Sequence, residues 1–235
     1  MFLICLCTVL PGWLSAQDQP IVPKAYPATL WVPCDEHRPA PRLVVGPTLV
    51  AKAAGVRATV KVDQDGSCAN TTNLIVSARG NQKTWVEPPK PKEQLTGNGM
   101  NLVDWSPDGK MLLAELWCWT QEPNDAGIDK QVLVFSPEHG SVRQIETEPF
   151  LADQNGHSCN LDFELLGFTP EGWVAMRTQV TQFYEVDEQE RSDIPAAKRC
   201  VEKHEVWAID PETQLRTALP EGFRAERYSN VGSAR

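Results

Sequence analysis

Three groupings of residues in this sequence are of types that do chemistry. Gly156-His157-Ser158-Cys159-Asn160 invites comparison with the Gly-x-Ser-x-Gly elbow, which holds a serine nucleophile on a sharp strand-to-helix turn. Here Asn160 replaces the second glycine and no helical pattern follows. With only four histidines in the chain, a loop segment is the better reading and a serine hydrolase is disfavoured. Cys34-Asp35-Glu36-His37, His157-x-Cys159 and Cys200-x-x-x-His204 each set a thiol or imidazole beside another metal-ligand type. Zinc needs four such groups converging tetrahedrally, and a cysteine held in a disulfide is not a ligand. Asp63-Gln64-Asp65-Gly66 lacks the ordered carboxylate spacing of a calcium loop and reads as a hairpin turn. Among 31 acidic residues none stands out as one of a glycosidase pair, whose separation is set in space. No catalytic residue, metal ligand or cofactor is assigned.

Two further groupings concern binding or modification. Trp117 and Trp119 flank Cys118, so in a strand both rings share one face and the thiol takes the other. Such a pair at a rim would suit a sugar or a peptide, although packing between sheets is the commoner use. Asn70-Thr71-Thr72 is a glycosylation sequon, which matters only in a eukaryotic secretory route.

The first sixteen residues carry no charge and are dominated by Phe2, Leu3, Ile4, Leu6, Val9, Leu10, Trp13 and Leu14. This apolar stretch is shorter than the ~20 residues of a spanning helix. It closes on Leu14-Ser15-Ala16 before a polar, proline-bearing start, the pattern of a secretory signal peptide. The expected destination is secreted or periplasmic. No later run is apolar enough to span a membrane. Removing residues 1–16 leaves Cys34, Cys68, Cys118, Cys159 and Cys200. In an oxidising compartment these are candidate disulfide partners. Their odd number allows at most two internal bridges; Cys159 with Cys200 is one pairing among many. The net charge of −9 and the lack of a basic run leave no electrostatic footprint for a phosphate backbone, which argues against nucleic acid.

The elements that must position all of this are short. Runs such as Val56 to Val62, Leu74-Ile75-Val76, Met111 to Trp117, Val132 to Phe135 and Val206 to Ile209 are strand-sized. Turn signals separate them, including Pro107-Asp108-Gly109, His139-Gly140, Glu171-Gly172 and Pro211-Glu212-Thr213. Nineteen prolines disfavour long helices, and the chain reads as all-β.

An internal repeat organises these runs. Leu102-Val103-Asp104-Trp105-Ser106-Pro107-Asp108-Gly109 is echoed by Leu165-Leu166-Gly167-Phe168-Thr169-Pro170-Glu171-Gly172, each followed by an apolar strand. Each unit then makes a polar excursion and returns with a second pair of strands. These pairs run from Val132 through Pro137-Glu138-His139-Gly140 to Ile145, and from Val206 through Pro211-Glu212-Thr213 to Leu219. A fainter copy runs from Leu43 to Val86 without the Pro-acid-Gly turn. The resulting organisation is a signal peptide at 1–16, an N-terminal extension at 17–42, a repeat domain at 43–220, and a tail at 221–235. The tail is polar, a composition compatible with disorder.

The Trp105-Ser106-Pro107-Asp108-Gly109-Lys110 turn and the strands ending in Pro-x-x-Gly resemble the TolB-type, WD-like β-propeller repeat, clearest over 102–145 and 165–219. That resemblance implies antiparallel four-stranded blades of a small or incomplete β-propeller. It implies structural roles for Trp105, Pro107, Asp108 and Gly109 and for Phe168, Pro170, Glu171 and Gly172. The aromatics would pack between blades, and Ser106 or Thr169 would bond local backbone. Propellers typically have four to eight blades. Three repeats leave a choice between a fourth blade built from the flanks, self-association and an incomplete gene.

Long excursions cover Thr120 to Lys130 and about Gln179 to Glu205, the second rich in acids. Loops on a rigid scaffold are where binding residues concentrate, although an acidic loop is more often only solvated. The functional expectation is an exported binding or scaffold module without catalysis of its own, meeting a protein or small ligand at its loop face. The alternative is a secreted or periplasmic hydrolase, or an accessory domain of a peptidase-like enzyme, whose site assembles only in three dimensions.

Overall fold

Apolar and polar residues alternate along Arg57-Ala58-Thr59-Val60-Lys61-Val62-Asp63-Gln64, and Ala58, Val60, Val62 and Gln64 are the buried set. That period of two is the signature of a strand with one covered face. The computed structural model describes residues 28–30, 41–64, 70–78, 80–86, 96–120, 128–147, 159–183 and 204–232. Every regular element among them is a strand. In chain order they are β1 (Ala28–Leu30), β2 (Arg42–Ala51), β3 (Arg57–Gln64), β4 (Asn70–Ala78), β5 (Asn81–Val86), β6 (Thr96–Trp105), β7 (Leu112–Thr120), β8 (Ile128–Ser136), β9 (Ser141–Ile145), β10 (Cys159–Phe168), β11 (Val174–Phe183), β12 (His204–Ile209), β13 (Arg216–Leu219) and β14 (Ser229–Gly232).

The protein is all-β, with three antiparallel sheets of four or five strands. Sheet 1 has the order β14-β2-β3-β4-β5, sheet 2 β1-β6-β7-β8-β9, and sheet 3 β10-β11-β12-β13. Each contains a four-strand meander in chain order, and the meanders occupy the three stretches that the sequence repeats. The flanks do not form a fourth sheet among the described residues. Instead β1 pairs with β6, Ala28 opposite Leu102, and β14 pairs with β2, Ser229 opposite Ala51. Part of the polar tail is thus an ordered strand. Its backbone groups complete a sheet edge whatever the polarity of its side chains.

The sheets stack face to face. Leu49, Val60, Val62 and Leu74 of sheet 1 meet Leu102, Trp105, Leu112, Leu116 and Phe135 of sheet 2 in one apolar core. The opposite face of sheet 2, with Val103, Leu113, Val132 and Val134, meets Leu165, Phe168, Val174, Met176 and Ile209 of sheet 3 in a second. The middle sheet is therefore covered on both faces. A sheet with two apolar faces requires a neighbour on each side, as in stacked repeats.

The first strand of each meander carries a β-bulge. Register shifts fall between Val45 and Thr48, between Leu102 and Asp104, and between Leu165 and Gly167. A bulge resets the alternation of faces. Leu102 and Trp105, three residues apart, consequently enter the same core, as do Leu165 and Phe168.

The two insertions are shorter than the apolar pattern suggests. β7 continues to Thr120 and β8 starts at Ile128; β11 continues to Phe183 and β12 starts at His204. Ladder hydrogen bonds are made by backbone, so strands extend past the last apolar side chain.

Candidate functional site

Among the described residues, the six hairpins gather at one end of the stack. A side chain placed at Gly109 would meet Ala54, joining the β6–β7 turn to the β2–β3 turn. Gly172 of the β10–β11 turn faces Met111, and Lys83 beside the β4–β5 turn donates to the carbonyls of Pro137 and Glu138 in the β8–β9 turn. One cleft further links Asp108, Ser136, His139 and Glu212, bringing in the β12–β13 turn. The connections from second to third strand, residues 65–69, 121–127 and 184–203, leave from the opposite end.

At the hairpin end, the residues singled out by the repeat build turns. Gly109 has φ +71° and its N–H donates to Ser106 O at 2.8 Å; Gly172 has φ +88° and donates to Thr169 O at 2.9 Å. These left-handed conformations favour glycine. Ser106 Oγ lies 2.7 Å from Asp108 Oδ1 and accepts from Lys110 N and Met111 N. Thr169 Oγ1 accepts from Trp173 N at 3.3 Å. Burial pulls the Asp108 carboxyl up, but Ser106, the Lys110 amide and the Lys110 ammonium outweigh it and hold the pKa below the ordinary value. Trp105 is fully buried between sheets 1 and 2, its Nε1 donating to Leu49 O at 3.3 Å. Phe168 is its counterpart between sheets 2 and 3. Pro107 is half-buried, while Pro170 and Glu171 are exposed on their turn.

Two clefts open at this end. The larger, about 430 Å³, runs between sheets 2 and 3 and is lined by Asp108, Lys110, Glu138, His139, Arg143 and Glu212, with Met111 and Val134. Two ion pairs and one turn contact lie along it: Arg143 meets Glu212 at 3.3 Å, Lys110 meets Asp108 at 3.7 Å, and His139 Nδ1 lies 3.0 Å from Ser136 Oγ. The Ser136–His139 pair closes an exposed hairpin across three residues, which is turn chemistry. The smaller cleft, about 300 Å³, lies between sheets 1 and 2 over Leu74, Val76, Trp85, Phe135 and Val142. Trp85 and Phe135 meet there edge to face, with centroids 5.4 Å apart.

Toward the opposite end, the interface of sheets 2 and 3 turns polar. Glu115, buried in β7, accepts from Asn101 Nδ2 at 3.1 Å and from Trp117 Nε1. Lys130 lies over the Trp117 ring at 4.7 Å and over Phe163 at 5.7 Å, while Trp207 Nε1 donates to Thr178 Oγ1 at 3.3 Å. Trp117 is therefore engaged in packing between sheets. Alternation alone did not reveal Glu115; the charge inside an otherwise apolar β7 was the available signal.

A buried carboxylate to which the repeat pattern gives no role sits at the β6 bulge. Asp104 is fully buried and accepts from Trp105 N at 2.9 Å, Tyr228 N at 3.2 Å and Ser229 Oγ at 2.5 Å. Burial raises its pKa above the ordinary value, against the opposing effects of Ser229, the two amides and Arg227. The equivalent bulge position in β10 is Gly167, φ +130°, where a side chain would meet Ala225 and Asp104.

Backbone register places Cys118 opposite Asn98 and Asp129, and Cys159 opposite Phe183. Cys34, Cys68 and Cys200 lie outside the described residues, as do His37, His157 and Ser158. Among the described residues no three His, Cys, Asp or Glu side chains gather as a metal site would require. No helix of the described residues is long and apolar enough to cross a membrane. Compared with protein-family models, curated proteins and solved structures, the chain finds no match.

Proposed function

We propose that this chain is an exported, β-propeller-like binding module that takes a protein or another ligand at the end bearing its long connections, without catalysis of its own. The observation carrying this reading is that the hairpins collect at one end, so segments 121–127 and 184–203 leave from the other, on neighbouring sheets. A rigid stack presenting adjacent loops is the arrangement binding surfaces favour. At the hairpin end Asp108 and Asp210 are bonded into their own turns, which suits a scaffold better than a reacting centre.

A displayed peptide library and a glycan array, applied to the full chain, test this. The expected result is a saturable hit that disappears when residues 184–203 are replaced by an Asn-Gly turn while the β-sheet circular dichroism persists. A hit that survives the replacement moves binding to the hairpin-end cleft. Turnover of a hit by the full chain replaces the binding reading with the hydrolase one. Export is tested separately by the mature N-terminus, expected at Gln17.

A further inference from the structure

The C-terminal segment touches every sheet. After a turn in which Phe223 N donates to Pro220 O, Ala225 lies against Gly167 of sheet 3. Arg227 donates to Val103 O at 2.8 Å, and Tyr228 N and Ser229 Oγ bond Asp104, all in sheet 2. Tyr228 O accepts from Lys52 N at 2.9 Å, Arg227 O accepts from Lys52 Nζ, and β14 pairs with β2 of sheet 1 from Ser229 opposite Ala51 to Gly232 opposite Thr48. Two features make this strap separable. β14 is four residues long with Asn230 and Val231 exposed, and it hangs on a largely exposed connection from Pro220 to Glu226. Undocking would bare the β2 edge, and an unpaired edge is a template for another strand.

We propose that residues 220–232 are an exchangeable strap, docked in cis in the single chain and able to dock in trans on a second copy. The occupant follows from the chemistry of the acceptor. The β2 edge offers backbone pairing over Thr48–Ala51, Asp104 offers a buried carboxylate to one hydroxyl and one amide, and Val103 O takes one guanidinium. A second copy's strap satisfies all of these in the same register. Exchange of an identical element is a low-cost route to association.

The probe is a fluorescent peptide spanning Glu221–Gly232, added to full-length protein. Ser229→Ala in the protein weakens the cis strap but leaves the acceptor intact, so this variant should bind the peptide at least tenfold more tightly than wild type. Asp104→Asn alters the acceptor and should abolish that gain when combined with Ser229→Ala. A peptide carrying Ser229→Ala should bind at least tenfold more weakly. Absence of saturable uptake, or uptake indifferent to Ser229 and Asp104, overturns the proposal. Amide exchange of the wild type decides the matter if a variant fails to fold. Residues 228–232 and 48–51 should open together and at least tenfold faster than β7. Exchange of both only with the whole molecule overturns the strap.

Discussion

Gly109 and Gly172 hold equivalent turns, yet their surroundings differ. Both have positive φ, so alanine at either costs roughly 1–2 kcal/mol in backbone strain. At Gly109 the new Cβ would also stand 2.8 Å from Ala54 Cβ, whereas at Gly172 the nearest atom is Met111 Cε at 3.7 Å. Overpacking of that kind adds about 1–3 kcal/mol. Gly109→Ala should therefore lower the urea midpoint clearly more than Gly172→Ala; equal losses would contradict the stacked turns. Asp104 makes a second prediction. Its raised pKa means that the folded chain holds the proton more readily than the unfolded one. Its contribution is thus full below the ordinary 3.8 and lost as pH rises through the folded value. Asp108 behaves oppositely, as does Asp210 of the β12–β13 turn, whose carboxylate is favoured chiefly by the Glu212 N–H; their contributions are present above 3.8 and lost as pH falls through their lowered folded values. The stability difference between wild type and Asp104→Asn should shift in favour of wild type between neutral pH and about pH 4, which urea unfolding at both values reads. At residue scale the turn glycines and aromatic anchors were legible because turn chemistry is local. Asp104 was not, because its partners Tyr228 and Ser229 lie 124 and 125 residues away.

The strands and their order were readable from alternation and turn residues, and the repeat predicted which runs belong to one sheet. Bulges were not readable. Leu102 and Trp105 would take opposite faces under strict alternation, and the register shift between Leu102 and Asp104 brings both into the core against sheet 1. Trp105 then couples two sheets by packing and by its bond to Leu49 O. Trp105→Ala should cost about 3–5 kcal/mol, the range for large aromatic truncations in a core. Trp105→Phe keeps much of the contact but leaves that interaction unmade, costing about 1–2 kcal/mol. Chemical denaturation followed by far-UV circular dichroism distinguishes these from a neutral outcome, which would place Trp105 outside the inter-sheet contact.

At the scale of the molecule, the terminal faces differ from the internal ones. On the face of sheet 1 turned away from sheet 2, β3 presents Arg57, Thr59, Lys61 and Asp63, where the facing strands of the later repeats bury Leu112, Ala114 and Leu116, or Val174 and Met176. On the far face of sheet 3, Arg177 pairs with Glu164 at 2.9 Å, while Ala175, Val206 and Ala208 are buried. A polar outer face is how stacked repeats end, and the β3 side of sheet 1 has that character. On sheet 1 this polar character belongs to β3 and not to the whole face, since Leu43, Val45 and Val86, opposite Asp63, Lys61 and Asn73, share that face and are exposed. That capping was visible in β3 as charges at alternate positions, but only the stacking direction shows which face they cover. Amide hydrogen exchange across the whole chain tests the stack most directly, because protection follows coverage. The slowest amides should lie in β7 and β8 of the middle sheet, which is packed on both faces, with slower exchange there than in β3 or β12. Uniform protection across the three sheets, or a middle sheet that exchanges first, would contradict the stacked arrangement.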